Sequence, residues 1–216
     1  MSKPWDVWVK RWQSAVTACT QMGGDGQIMI APPATIEQVI GVEGSIGCRL
    51  PDSFRKVLLE FSAAVEVSWE LPDDVEPPEW LEEVVTGYCY WDLNQIPNVE
   101  ENRKSWIEKV FNEADDPIGE VWRDKLAFLD VHNGDLMAFE LNAGSDGPVV
   151  YLAHDDEIMN GYRLGDNFVD FMNRWTVLGC PGPEIWQLDP FLYSPSGGIE
   201  PCREEGVVWR RWFGLG

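Results

Sequence analysis

The residues best suited to chemistry in this chain lie around its two histidines, His132 and His154. His132 stands in the stretch "FLDVHNGDLMAFELN" (128–142), and His154 is followed directly by Asp155 and Asp156. Imidazole and carboxylate groups together suit zinc, manganese or iron. If the fold brought these four side chains together, they could form the centre of a metal-dependent hydrolase.

The spacing of these residues argues against such a centre. Metal sites often place their ligands at a fixed helical spacing such as H-E-x-x-H, and that pattern does not occur here. His154 and Asp155 end a strand-like run, where neighbouring side chains point to opposite faces. Asn133-Gly134 between two alternating runs instead predicts a β-hairpin, because both residues tolerate the positive φ of a tight turn. We interpret the stretch around His132 as a turn and predict no metal and no cofactor.

Other catalytic signatures are also missing from the sequence. There is no G-x-G-x-x-G after a strand, no phosphate-binding loop with Gly-Lys-Ser/Thr and no G-x-S-x-G elbow. The cysteines are odd in number and never form C-x-x-C, which favours reduced thiols over disulfides or a zinc site. They are Cys19, Cys48, Cys89, Cys180 and Cys202. We therefore predict that the protein is not an enzyme.

The charge of the chain restricts its partners. The formal net charge is −21, from 37 acidic residues against 16 lysines and arginines. Such a field repels phosphate backbones and anionic membranes, so binding to nucleic acids or membranes is not expected. It attracts basic proteins and speeds their encounter. Solubility alone is the simpler explanation of the same charge.

Composition and the N-terminus bear on the cellular compartment. Hydrophobic residues make up 44% of the chain, as in an ordinary globular protein. The first residues, "MSKPWDVWVKRWQ", contain charges and lack the apolar core of a signal peptide. No stretch is long and apolar enough to span a membrane. We expect a cytoplasmic protein.

Acidic residues concentrate in one segment, "WELPDDVEPPEWLEEV" (69–84), which we call the acidic segment. It lies in a stretch between Lys56 and Arg103 that contains no other basic residue. Its prolines exclude one continuous helix, so we predict an exposed loop. As a contact surface for a basic partner we predict Trp69, Asp73, Asp74, Glu76, Glu79, Trp80, Glu82 and Glu83. A solvated insertion with no binding role is the alternative.

Hydrophobic periodicity predicts the elements that position these residues. Apolar side chains at three- and four-residue spacing indicate helices, and alternation indicates strands. The predicted helices cover 4–19, 35–47, 49–62, 102–114 and 166–179, with Trp5, Trp8 and Trp12 forming a core-facing stripe on the first. The predicted strands cover 64–71, 84–93, 125–131, 135–141 and 148–155. The remaining tail carries Trp209, Trp212 and Phe213, which are too apolar to stay in water and should dock on this chain or on a partner.

The order of these pieces resembles the SUKH superfamily of yeast cell-wall-assembly regulators and bacterial toxin-immunity proteins. The similarity rests on Leu50-Pro51 opening a helix, Gly134-Asp135 before a strand, and "GPVVYLAHDDE" followed by "LGDNFVDFMNRW". It runs from about Pro33 to Leu178. One departure is "SAAVEV" after the helix ending near Phe61, where family members often have Asn-Gly.

The resemblance implies an α+β fold with helices packed against a mainly antiparallel sheet. We divide the chain into an N-terminal Trp-rich helix and connector (1–32), a SUKH-like domain (33–178) and a C-terminal extension packed on the same domain (179–216). The resemblance also implies a non-catalytic role. An immunity protein that neutralises a cognate toxin, such as a nuclease with a basic substrate-binding surface, is the first hypothesis. A regulatory scaffold for an endogenous partner is the second, and a metal-dependent hydrolase is the third.

Overall fold

The computed structural model describes residues 3–113, 115–156 and 158–216, which form eight α-helices and seven β-strands. The helices are α1 (Pro4–Gln21), α2 (Ile36–Ile46), α3 (Asp52–Glu60), α4 (Ile96–Lys109), α5 (Pro117–Trp122), α6 (Phe168–Trp175), α7 (Ile185–Leu188) and α8 (Glu204–Phe213). The strands are β1 (Asp25–Ile30), β2 (Ala64–Glu70), β3 (Thr86–Asp92), β4 (Lys125–Asp130), β5 (Leu136–Glu140), β6 (Val149–Leu152) and β7 (Arg163–Gly165). The predicted α+β class is confirmed, with an added N-terminal helix and a helical C-terminal extension.

The strands form two antiparallel sheets, of order β1-β2-β3 and β4-β5-β6-β7. In the first sheet, Ile28 lies opposite Val67, and Val67 lies opposite Cys89. The five strands predicted from alternation are all present. The predicted helix over 102–114 begins earlier and ends at Lys109, and Ala114 lies outside the described residues.

Helix α1 packs its tryptophan stripe into the core, as predicted. Trp5, Trp8 and Trp12 are all buried, and Trp8 and Trp12 are completely so. The indole Nε1 of Trp8 donates a hydrogen bond to Oδ1 of Asn173 in α6, at 2.8 Å. Because aromatic side chains bury large areas, this stripe ties the N-terminal helix firmly to the domain that follows it.

Strand β1 is an element that the sequence pattern does not reveal, because the residues between the first helix and residue 32 are predicted to be a connector. Its side chains are mostly exposed, and Met29 retains 53% of its accessible surface. An edge strand that buries few side chains shows no clear alternation of apolar and polar residues. The position of β1 is fixed instead by its backbone pairing with β2.

The C-terminal extension docks on this chain. Trp209 and Phe213 of α8 are fully buried and lie against Trp69 of β2, with ring centroids 6.0 Å and 4.6 Å away. One core cluster contains buried side chains from Trp5 near the N-terminus to Leu215 near the C-terminus. Residues from all three sequence segments thus share one hydrophobic core.

Candidate functional site

The hairpin around His132 is confirmed, with a turn that differs from the predicted one. The N–H of Val131 donates to the carbonyl oxygen of Asp135 at 3.0 Å, which closes a loop of three residues. Positive φ angles occur at His132 (69°) and Gly134 (111°), and not at Asn133. Three-residue hairpin loops commonly place glycine in the left-handed region, so Gly134 carries the turn with His132 rather than with Asn133.

The histidines do not form the metal centre considered from the sequence. The His132 side chain is 75% exposed and lies 3.8 Å from a carboxylate oxygen of Asp130. His154 contacts Asp135 instead, with 2.7 Å between Nδ1 and Oδ1. Among the described residues, the one group with metal-ligand spacing is Asp135, His154 and Asp155, whose ligand atoms lie within 4.8 Å of one another.

Asp135 acts in this group as a structural anchor. Its carboxylate is buried, and it accepts hydrogen bonds from the Tyr151 hydroxyl (2.8 Å) and the His154 backbone N–H (2.9 Å). Burial raises the pKa of the Tyr151 phenol, and the neighbouring Asp135 charge raises it further. A buried carboxylate with its hydrogen bonds made inside the fold needs no ion to satisfy it. Through these hydrogen bonds, Asp135 links the β4–β5 hairpin to β6 and to the residues that follow it.

The acidic segment joins β2 to β3 and is anchored at several points. The N–H of Leu71 donates to the Val85 carbonyl oxygen at 2.9 Å, which extends the β2–β3 pairing by one step. Leu81 and Val84 are buried, while Trp80 is 58% exposed. These contacts hold the segment against the domain and leave its charged side chains outside.

The six predicted acidic contact residues all project into solvent: Asp73, Asp74, Glu76, Glu79, Glu82 and Glu83. In the described part of the chain, none of these carboxylates makes an ion pair or accepts a side-chain hydrogen bond. Their charge is therefore not neutralised locally and is open to a partner.

Trp69 does not belong to this surface, and that part of the prediction is wrong. It is 2% exposed, and its indole Nε1 donates to the Gly179 carbonyl oxygen at 2.6 Å. Trp69 lies on the inner face of β2, where Val65 and Val67 are also buried. The alternation that predicts strand 64–71 already places Trp69 on the same face as these valines. The prediction of an exposed Trp69 followed instead from the acidic residues that come after it in the sequence.

Sequence reasoning also missed the outer face of the first sheet. Glu66 of β2 lies between Met29 of β1 and Tyr90 of β3, and Ser68 lies between Gln27 and Tyr88. We call this surface the outer face. The signal was available, since the residues that alternate with the buried Val67, Trp69, Cys89 and Trp91 must point the other way.

Comparison with known families gives the chain its classification. The sequence profile of the SMI1 / KNR4 family (SUKH-1) matches residues 33–174, about two thirds of the chain. The chain belongs to this family. The resemblance noted in the sequence is thereby confirmed, and the SMI1 / KNR4 family generally consists of non-enzymatic binding domains. No curated protein matches the sequence.

The SMI1 / KNR4 assignment fits a non-catalytic immunity or regulatory module. Helix α1, strand β1 and the residues after 174 lie outside the matched region. Within the described residues, no helix has the length and apolar character needed to cross a membrane.

Proposed function

We propose that this protein is a cytoplasmic immunity protein that binds and neutralises a basic toxin, and that the acidic segment is a contact surface. One observation carries the proposal. The segment presents six exposed carboxylates that form no ion pair with any described residue, beside an exposed indole, Trp80, on an anchored connection between β2 and β3.

Physical chemistry favours a basic partner for such a surface. The net charge of −21 raises the association rate with a positively charged protein, and exposed aromatic side chains supply contact area after the encounter. Toxins that cut nucleic acids carry basic substrate-binding surfaces, which an acidic protein can cover. The cysteines of the described chain are all free thiols, which fits a reducing compartment.

The test begins with affinity capture from the source organism at low salt, followed by elution with salt. We expect a basic protein whose toxic activity, once purified, is suppressed by a stoichiometric amount of this chain. A captured partner whose activity is unchanged would favour the regulatory scaffold instead. Capture of acidic proteins alone, or of none, would contradict the proposal.

Charge reversal then tests the acidic segment. The triple variant Asp73→Lys, Asp74→Lys, Glu76→Lys should weaken the complex, most strongly at low salt where screening is weakest. The matched control is Glu101→Lys, Glu108→Lys, Glu113→Lys, which changes three exposed acids outside the segment and gives the same net charge. Equal weakening by both triples would mean that only the overall field matters, and the contact surface would then lie elsewhere.

A further inference from the structure

The side chains on the outer face of the first sheet are exposed or half-buried, and three clefts lie along this face. Clefts of about 410, 390 and 370 Å³ share lining residues: Tyr88 lines the first two, and Glu66 and Tyr90 line the last two. The clefts are therefore neighbours along β2 and β3, and we call the three together the groove. This groove starts beside the paired residues Glu70, which lies within the acidic segment, and Thr86, which follows it.

The groove has an aromatic floor. The rings of Tyr88 and Tyr90 lie parallel, with centroids 5.8 Å apart and planes 9° apart. Both rings are half-buried, and neither hydroxyl makes a hydrogen bond within the described part of the chain. Met29, opposite Glu66, adds an exposed thioether at the edge of the groove.

The lining of the groove is strongly acidic. Its carboxylates are Asp25, Glu66, Glu70, Asp92 and Asp130, and among the described residues no lysine or arginine lines it, while one histidine, His132, does. Glu66 stands at the centre, where it accepts a hydrogen bond from Gln27 Nε2 at 3.0 Å. Burial raises the pKa of Tyr88 to about 12 and the Glu66 charge adds to this rise, so the phenol stays neutral at ordinary pH.

We propose that this groove binds an arginine-bearing extended segment of a basic protein partner. A guanidinium group stacks on tyrosine rings and pairs with carboxylates, so the stacked tyrosines and Glu66 match both parts of an arginine side chain. This inference rests on the proposed function, because it extends the contact surface from the acidic segment onto the neighbouring sheet face.

The test uses a capped synthetic peptide with arginine at every second position, added to the isotopically labelled full chain and followed by NMR. We expect saturable shifts of the Tyr88 and Tyr90 ring signals and of the Gln27 and Ser68 amides. A peptide with lysine in place of arginine should bind several-fold more weakly, because ammonium stacks less well on aromatic rings.

Two matched variants locate the contact. Glu66→Gln keeps an acceptor for Gln27 and should weaken arginine-peptide binding about tenfold, the order expected for one charge-assisted contact. Glu79→Gln removes one charge from the acidic segment and should change the affinity less than about twofold. Amide spectra of both variants check that the fold is retained.

The outcomes separate this inference from the proposed function. Shifts confined to the Trp80 indole and the acidic segment, with no effect of Glu66→Gln, would overturn the groove and leave the acidic segment as the contact surface. Shifts at neither surface would overturn the groove, while the proposed function would still be decided by the affinity capture and the charge-reversal triple. Equal binding of arginine and lysine peptides would overturn the role of the tyrosine pair.

Discussion

The indole Nε1 of Trp69 donates a hydrogen bond to the carbonyl oxygen of Gly179, with 2.6 Å between the two atoms. Trp69 also lies against Trp209 and Phe213 of α8. The strand that leads into the acidic segment is thus fixed to the C-terminal extension. The position of the candidate contact surface consequently depends on residues outside the part of the chain that matches the family.

This contact predicts a large stability effect at Trp69 and a small one at Trp80. Trp69→Ala should lower the free energy of unfolding by about 3–5 kcal/mol, because it opens a cavity against α8. Trp69→Phe keeps an aromatic ring and loses the hydrogen bond, with an expected cost of about 1–2 kcal/mol. Trp80→Ala should stay within about 0.5 kcal/mol, since the side chain is mostly exposed. Urea denaturation measures all three, and comparable losses at both tryptophans would contradict the assignment.

Substitution of Asp135 should likewise have a large effect on stability, and substitution of His132 a small one. Asp135→Ala leaves the buried Tyr151 hydroxyl and the partly buried His154 N–H without their acceptor, which should cost about 3 kcal/mol. His132→Ala changes an exposed side chain and should cost less than about 0.5 kcal/mol.

Thermal unfolding with and without a chelator completes this comparison. Asp135 is already satisfied by protein donors, so we expect the same Tm in both samples. A Tm that falls on chelation would show that an ion binds the native state and would restore the metal hypothesis.

The buried ion pair of α4 gives a third prediction. The Arg103 guanidinium contacts the Glu100 carboxylate at 2.7 Å, with both side chains buried, and Glu100 also accepts from the Ala127 N–H of β4. Arg103→Met leaves a buried carboxylate without its main counterion and should cost about 3–5 kcal/mol.

Lys104→Met is the matched control for this pair. Lys104 lies 3.6 Å from the same carboxylate but is 46% exposed, so its removal should cost less than about 1 kcal/mol. Chemical denaturation of both variants measures the two losses of unfolding free energy. If the two losses were equal, the burial of Arg103 would not be what makes its ion pair important.

Tyr88 gives a pH dependence with a definite sign. Its pKa in the folded protein is about 12, mainly because of burial, against about 10 for an unfolded tyrosine. Because the native state favours the neutral phenol, Tyr88 stabilises the folded protein fully below about pH 10. This stabilisation is lost as the pH rises toward about 12.

The measurement compares wild type with Tyr88→Phe, which cannot ionise at this position. Between about pH 9 and about pH 11 the wild type should lose more unfolding free energy than the variant. Absorbance of tyrosinate, followed while circular dichroism shows a folded protein, should lose a component that titrates near pH 12 in the variant. If the unfolding free energies of the wild type and the variant fell in parallel with pH, the raised pKa of Tyr88 would be contradicted.

The sequence determined those features that depend on local pattern and composition. The spacing of Trp5, Trp8 and Trp12 predicted a buried helix stripe, alternation predicted five strands, and Asn133-Gly134 predicted the hairpin. These signals work because a helix or strand repeats its faces at a fixed period, whatever it packs against. The net charge likewise sets the sign of the electrostatic field without reference to the fold.

Only the tertiary structure decided which neighbours meet. Trp69 is buried because Gly179, 110 residues later, and α8 cover it, and no local pattern encodes such a contact. Asp135 selects His154 rather than His132 because β5 and β6 pair side by side. The outer face forms because the weakly patterned β1 pairs with β2, and backbone hydrogen bonding, which is nearly independent of side-chain type, fixes that pairing.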